Sequence, residues 1–246
     1  MKIGITEQGD PSLDYMWFEK VDLVDGVVLV TKNLTDKLID HLLQCKEKIV
    51  LHLSCTGYGG TKVEPNVPAP DIQLPQLNKL VNSGFHQSHI VVRIDPIIPT
   101  KKGLERAKSV LRSFADAGYK RFRVSLLDAY PHVRKRFAEA GLHLPYGTQF
   151  SPNMQQFHEA DKMLYEIKSS FPDIVIESCA EGKLLQAEAI GCISKKDLAI
   201  LGLPEDEADE AGYQRRGCLC CSAKTELLER KQQCPYRCLY CYWKAA

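Results

Sequence analysis

Hydrophobic positions along the chain switch repeatedly between two periods. Short runs rich in Val and Ile, bounded by turn residues, predict strands at 2–6, 26–31, 48–54, 89–95, 120–128 and 173–178. Between them the apolar positions fall at helical spacing. Thr35 is placed to cap a helix with Leu38, Leu42 and Leu43 on one face. Residues 104–117 set Leu104, Ala107, Leu111 and Phe114 on one side, and Gly118 follows as a stop. Phe157, Leu164 and Ile167 line a later helix, with Pro172 beyond its end. Six strands alternating with helices imply parallel βαβ units. The expected fold is α/β, a partial or complete TIM-type β/α barrel or an open parallel sheet. No G-x-G-x-x-G follows the first strand, so a dinucleotide fold has no support.

The alternation weakens after about residue 203, where LPEDEADEAGYQ reads as an exposed acidic connection. This divides the chain into a barrel-like domain over 1–203 and a cysteine-rich tail over 204–246, packed on the barrel mouth. Composition changes little: 44% of residues are hydrophobic, 26% are charged and the net charge is +1, so no global field favours nucleic acid or acidic substrates. The start, MKIGITEQGD, has no apolar core of signal-peptide length. No apolar run approaches the roughly 18 residues needed to span a bilayer. The expectation is a soluble protein of a reducing cytoplasm with no membrane partner.

Ten cysteines do change the picture. Without an export signal, disulfides are disfavoured. Six of the ten fall between Cys218 and Cys241, at metal-ligand spacings. In QQCPYRCLYCYW, Cys234, Cys238 and Cys241 form C-x3-C-x2-C. Three thiolates on one short loop suit three irons of a [4Fe-4S] cluster and leave the fourth iron open for a small molecule. A zinc knuckle can show three cysteines as well, so the spacing alone leaves both open.

CPYRCLYCY closely resembles the cluster loop of the radical S-adenosylmethionine superfamily. That resemblance implies Cys234, Cys238 and Cys241 as cluster ligands, S-adenosylmethionine on the open iron, and Tyr240 as a neighbour of its adenine. The superfamily usually carries this loop after its first strand, whereas here it lies near the end of the chain. That placement is similar to a bacterial and phage family of domains of unknown function, described as having a radical-S-adenosylmethionine-like cysteine cluster at the C-terminus. The likeness runs through 56–68, 93–100, 124–128, 176–182, 190–194 and the tail from Gln214 to Tyr242. The matching segments of that family carry cysteines near Cys179, Cys192, Cys218 and Cys220. Convergence of these four implies a second site, either another [4Fe-4S] cluster or zinc, with Cys221 as a substitute ligand. Cys179 and Cys192 also suit a role as small buried hydrophobes, the role assigned to Cys45 and Cys55.

In α/β sheets and barrels, ligands meet the carboxyl ends of the strands. Residues two apart on a strand share a face. His52 and Ser54, Arg93 and Asp95, Arg123 and Ser125 with Asp128, and Glu177 with Cys179 and Glu181 therefore outline an interior polar cavity. Carboxylates there would bind the amino group or ribose of S-adenosylmethionine, and arginines its carboxylate; Arg93, Asp95, Ser125 and Glu177 are the candidates. Arg93 and Asp95 equally suit a structural ion pair, and the glycine loop 56–60 suits a turn better than a phosphate cradle. Basic residues at 101–102, 120–123 and 134–136 suit either a nucleic-acid backbone or solvated helix faces.

The sequence thus reads as a radical S-adenosylmethionine-type enzyme served by an electron donor such as flavodoxin or ferredoxin. Its substrate is open, a nucleic-acid component being favoured. The rivals are an iron–sulfur electron-transfer or regulatory protein and a zinc-stabilised nucleic-acid-binding module.

Overall fold

The computed structural model describes residues 1–179, 181–204, 219, 224–229 and 234–243. Cys218, Cys220 and Cys221 lie outside the described residues. Eight strands form one sheet: β1 (Ile3–Ile5), β2 (Gly26–Thr31), β3 (Ile49–Ser54), β4 (Ile90–Ile97), β5 (Arg121–Leu126), β6 (Val175–Cys179), β7 (Glu188–Ile190) and β8 (Lys224–Glu226). Their order is β7-β6-β5-β4-β3-β2-β1-β8, and every pairing is parallel. The sheet curls into a half-barrel, compatible with a TIM-type layout. The six expected strands are all present; β7 and β8, three residues each at the two edges, carry no readable pattern.

Seven helices accompany the described strands: α1 (Met16–Lys20), α2 (Asp36–Gln44), α3 (Pro70–Asn82), α4 (Lys101–Asp116), α5 (Pro131–Glu139), α6 (Met154–Ser170) and α7 (Lys195–Ile200). Thr35 caps α2 as its position predicts, its side chain accepting from the Leu38 amide. None of the helices among the described residues is long and apolar enough to cross a membrane.

The period of two assigns each strand residue a face. Leu29, Leu51, Leu53, Val92, Ile94, Phe122, Val124 and Ile176 point outward and pack against Leu38, Leu77, Leu111, Phe114, Leu164 and Ile167 of the helices. The opposite, concave face begins apolar, with Ile3, Ile5 and Val28 packed on Ile193 and Leu198. Across β3 to β6 it turns polar, carrying His52, Ser54, Arg93, Arg123 and Glu177 in adjacent register. The short helix α7 covers the amino end of this face. A Cβ at Gly26 would lie 2.6 Å from Leu201, which shows how closely the segment after α7 is pressed down.

Candidate functional site at the carboxyl ends of the strands

Two polar rows lie on the concave face. The lower row is closed. Arg121 Nε donates to Glu177 Oε1 at 2.8 Å, and Arg123 Nη2 donates to Glu177 Oε2 at 2.9 Å. Arg121 Nη1 also stands 2.8 Å from Asp197 Oδ1, on α7. Arg123 Nη1 donates to the Cys192 carbonyl at 2.9 Å, and His52 Nε2 lies 3.7 Å from Asp197. Arg123, Glu177, His52 and Asp197 are fully buried. Burial, reinforced by Arg123, pushes the His52 pKa down to about 3, so the imidazole is neutral. Burial opposes ionisation of Asp197, but Arg123, His52 and Arg121 together hold its carboxyl well below the usual range. Glu177, expected to face a cofactor, instead has both oxygens committed to arginines within this network.

The upper row begins two residues further along β4. Arg93 Nη2 donates to Asp95 Oδ2, and Ser125 Oγ donates to Asp95 Oδ1. Burial would raise the Asp95 pKa, but Arg93 and the Ser125 bond bring it down, so the carboxylate stays charged. Arg93 is itself buried, yet among the described residues its Nε and Nη1 have no hydrogen-bond partner. Buried N–H groups rarely stay unpaired in a finished site. Glu181 Oε1 accepts from the Leu126 amide at 3.2 Å, which fixes it beside Ser125. Among the described residues, unused hydrogen-bonding capacity is found in both rows: Arg93 Nε and Nη1 above, and His52 Nδ1 and Nε2, Arg121 Nη1 and Asp197 Oδ1 below, where Arg121 and Asp197 still face one another as an ion pair.

The cysteine loop rests on the same mouth and is fastened by several strand-end loops. After β1, Asp10 accepts from Ser12 Oγ at 2.7 Å, and that hydroxyl meets Tyr236 OH at 2.7 Å. After β2, Lys32 Nζ donates to Tyr240 OH at 2.6 Å and to Glu64 Oε1 at 2.9 Å. After β3, Glu64 also accepts from Tyr240 OH, and Thr56 Oγ1 donates to its other oxygen at 2.6 Å. The Leu239 amide reaches the Val63 carbonyl at 3.0 Å, and Asn66 holds the Pro235 carbonyl at 2.6 Å. From α5, Arg136 donates to the carbonyls of Cys241 and Trp243, each at 2.6 Å. Tyr58, Val63, Ile98, Leu127, Val133 and Phe137 supply the apolar seat. The glycine loop is a turn, with Gly57 at φ +82° and a Gly59 whose absent Cβ would fall 2.1 Å from the Pro68 carbonyl.

Cys238 is buried, and Cys234 and Cys241 are half-buried. All three thiols lie within electrostatic reach of one another and of Lys32. Burial pushes Cys238 up to about 12 against the pull of Lys32, and raises Cys234 and Cys241 as well. They are thus thiols until something soft and positive claims them, and binding would release protons. Among the described residues no three His, Cys, Asp or Glu side chains are grouped as a metal ion would need. The Cys179 and Cys192 sulfurs, expected in a second set, lie 3.5 Å apart at the ends of β6 and β7; the other expected members, Cys218 and Cys220, are not described. Cys55 is buried packing, and Cys45 is half-buried with its thiol on the His41 carbonyl.

The basic segments are largely internal fittings. Arg121 and Arg123 belong to the lower row, Arg136 holds the tail, and Arg134 holds the carbonyls of Gly147 and Gln149. The sequence pattern does not single out Lys32 or Glu64, and it places Arg136 in a basic segment suited to a nucleic-acid backbone or a solvated helix face instead of on the cysteine loop. Lys32 had a signal, since it follows β2 directly, at the same kind of strand end that singled out Arg93 and Ser125.

The model of a family described as a domain of unknown function, DUF1848, matches residues 13–243. The chain belongs to the DUF1848 family. Its matched span takes in both polar rows and the whole cysteine loop. No curated protein matches this DUF1848 chain in sequence. Among solved structures, a type I 3-dehydroquinate dehydratase from Clostridium difficile with covalently modified comenic acid is similar over 83% of this chain and 92% of its own, at 14% identity and a TM-score of 0.33.

Proposed function

We propose that this protein is an iron–sulfur enzyme of the radical S-adenosylmethionine type. The observation that carries the reading is the fastening of the Cys234–Cys238–Cys241 loop, from the β1, β2, β3 and α5 segments, over a mouth whose polar row retains unpaired donors. A loop serving only as a tail would not need so many anchors from separate elements. The donor set fits the group: three soft sulfurs, shielded from water, with the ammonium of Lys32 nearby to offset their negative charge. A cubane spreads its ligands more widely than a single ion does, so three thiols on one loop need not converge on a point.

When bound, such a cluster and S-adenosylmethionine supply a 5′-deoxyadenosyl radical that removes hydrogen from a substrate. The residues of the chain bind, orient and seal. Cys234, Cys238 and Cys241 hold the irons, and Tyr240 presents its backbone to the adenine. The unpaired donors of Arg93 suit the carboxylate of S-adenosylmethionine, and Asp95, oriented by Ser125, suits its ammonium group. In this reading the cysteine loop, 234–243, caps the mouth of the sheet, and the apolar seat keeps water from the reactive centre. Cys179 and Cys192 suit two ligands of a second site: sulfurs on one tetrahedral zinc, each at about 2.3 Å, stand about 3.8 Å apart.

Anaerobic reconstitution with iron and sulfide tests the reading. The expected result is reductant-dependent formation of 5′-deoxyadenosine, abolished by Cys238→Ala. A cluster that forms but turns over no S-adenosylmethionine would turn the assignment to an electron carrier. Zinc at full occupancy with no iron, in aerobic and anaerobic preparations alike, would sink both.

A further inference from the structure

Lys32 ties the cysteine loop to the strands through charge as well as hydrogen bonds. Its chain position is set by β2: the Lys32 amide donates to Asp10 Oδ2 at 2.8 Å, and its carbonyl accepts from Gln73 at 2.6 Å. Both backbone groups are therefore pinned, and the side chain leaves a rigid strand end. The ammonium then meets Tyr240 OH at 2.6 Å and Glu64 at 2.9 Å, and lies 5.1 Å from the centre of the Tyr240 ring. Its side chain is only 19% exposed. Burial disfavours the charge, but Glu64, Cys238 and Asp95 hold the group firmly protonated.

Glu64 is placed with equal care. It is 1% exposed, one oxygen taken by Thr56 and the other by Lys32 and Tyr240. A buried ion pair contributes little net stability compared with apolar packing of the same volume, because desolvation consumes most of the attraction. Apolar residues would have clamped Tyr240 as well. What a Lys–Glu pair adds is a fixed dipole, its positive end 2.6 Å from the hydroxyl of Tyr240, the residue that directly precedes Cys241.

We propose that Lys32 and Glu64 are positioning residues of opposite sign that set the electron affinity of whatever cluster Cys234, Cys238 and Cys241 hold. This rests on the iron–sulfur reading above. A fixed positive charge favours the more negative, reduced form of a neighbouring group, and a fixed carboxylate disfavours it. Lys32 thus eases reduction and Glu64 restrains it, in a setting too dry for water to screen either.

The test is a redox titration, followed by electron paramagnetic resonance, of the reconstituted protein and three variants, with iron and sulfide counted in each. Lys32→Met is expected to keep its iron and shift the midpoint potential to a more negative value. Glu64→Gln is expected to shift it the opposite way, and Lys32→Arg to restore the wild-type value. Opposite shifts are the decisive signature, since mere loosening of the loop would move both variants in one direction or strip both of iron. Loaded variants with the wild-type potential would overturn the proposal and leave the iron–sulfur reading intact. Should Lys32→Met fail to hold iron, Glu64→Gln with an unmoved or more negative potential would overturn it alone. A wild-type protein that takes up no iron would remove both readings together.

Discussion

Two polar rows share one concave face, two residues apart along the same strands, and have opposite characters. In the row of Arg123 and Glu177 each arginine faces two carboxylates, Glu177 and Asp197, and α7 shuts them in. In the row of Asp95 and Ser125, Arg93 retains unpaired donors and the cysteine loop lies above. The residue types are the same: arginine, carboxylate and a small hydroxyl. What separates the rows is the balance of charge: Arg121 and Arg123 each face two carboxylates, whereas among the described residues Arg93 faces Asp95 alone. A charge flanked by two of opposite sign is fixed and inert, whereas one with a single partner of opposite sign can receive a ligand.

The largest test of this contrast is Glu177→Ala. It strips Arg121 and Arg123 of their shared acceptor in a place water does not reach. Leaving buried charges uncompensated costs about 3–5 kcal/mol. Urea unfolding followed by circular dichroism measures this from the midpoint and slope. A cost under about 1 kcal/mol would show that the lower row is wetter and looser than its geometry implies.

A smaller, pH-dependent effect comes from the same row. His52 has a folded pKa near 3 against 6.5 when exposed. Between those values the unfolded chain binds a proton that the native protein does not, so stability falls as pH falls from about 6.5 towards 3. Asp197 adds to this below about 4, where the unfolded carboxyl protonates and the native one stays ionised. The combined loss amounts to a few kcal/mol. Unfolding midpoints taken across this range should slope downward towards acid. The His52→Gln variant should lose this downward slope between pH 6.5 and 4, where Glu7, raised to about 7 by burial, works in the opposite direction; an unchanged slope there would show that other groups carry the dependence.

The contrast also marks what the sequence could convey. The six main strands were legible to within two residues at each end, because buried parallel strands are runs of Val, Ile and Leu. β7 and β8 were not, since EAI and KTE at an edge carry neither a run nor an alternation. The spacing of Cys234, Cys238 and Cys241 was legible because metal loops are local. Which polar row closes was not legible. That depends on Asp197, which belongs to a six-residue helix and reaches Arg121 from 76 positions further along the chain. Lys32 and Glu64 escaped notice for a related reason: a lysine after a strand looks solvated until a tyrosine more than 200 residues away accepts its hydrogen bond.

The smallest effect is the one most able to break the comparison. Ser125→Ala removes the hydroxyl that donates to Asp95, in a row where the carboxylate still has Arg93 and its side chain is 26% exposed. Water can reach what the hydroxyl leaves behind. The stability cost should therefore stay at or below about 1 kcal/mol, near the ordinary net worth of one hydrogen bond. The same substitution removes one of the two groups that orient Asp95, so under the proposed function it should weaken S-adenosylmethionine binding to the reconstituted protein. Calorimetric titration measures that loss, and the urea midpoint measures the other. A large stability loss with unchanged affinity would make the upper row scaffold like the lower one. A small stability loss with weakened affinity would leave Arg93, Asp95 and Ser125 as a receiving row, poised on a frame that Arg121, Arg123, Glu177 and Asp197 hold still.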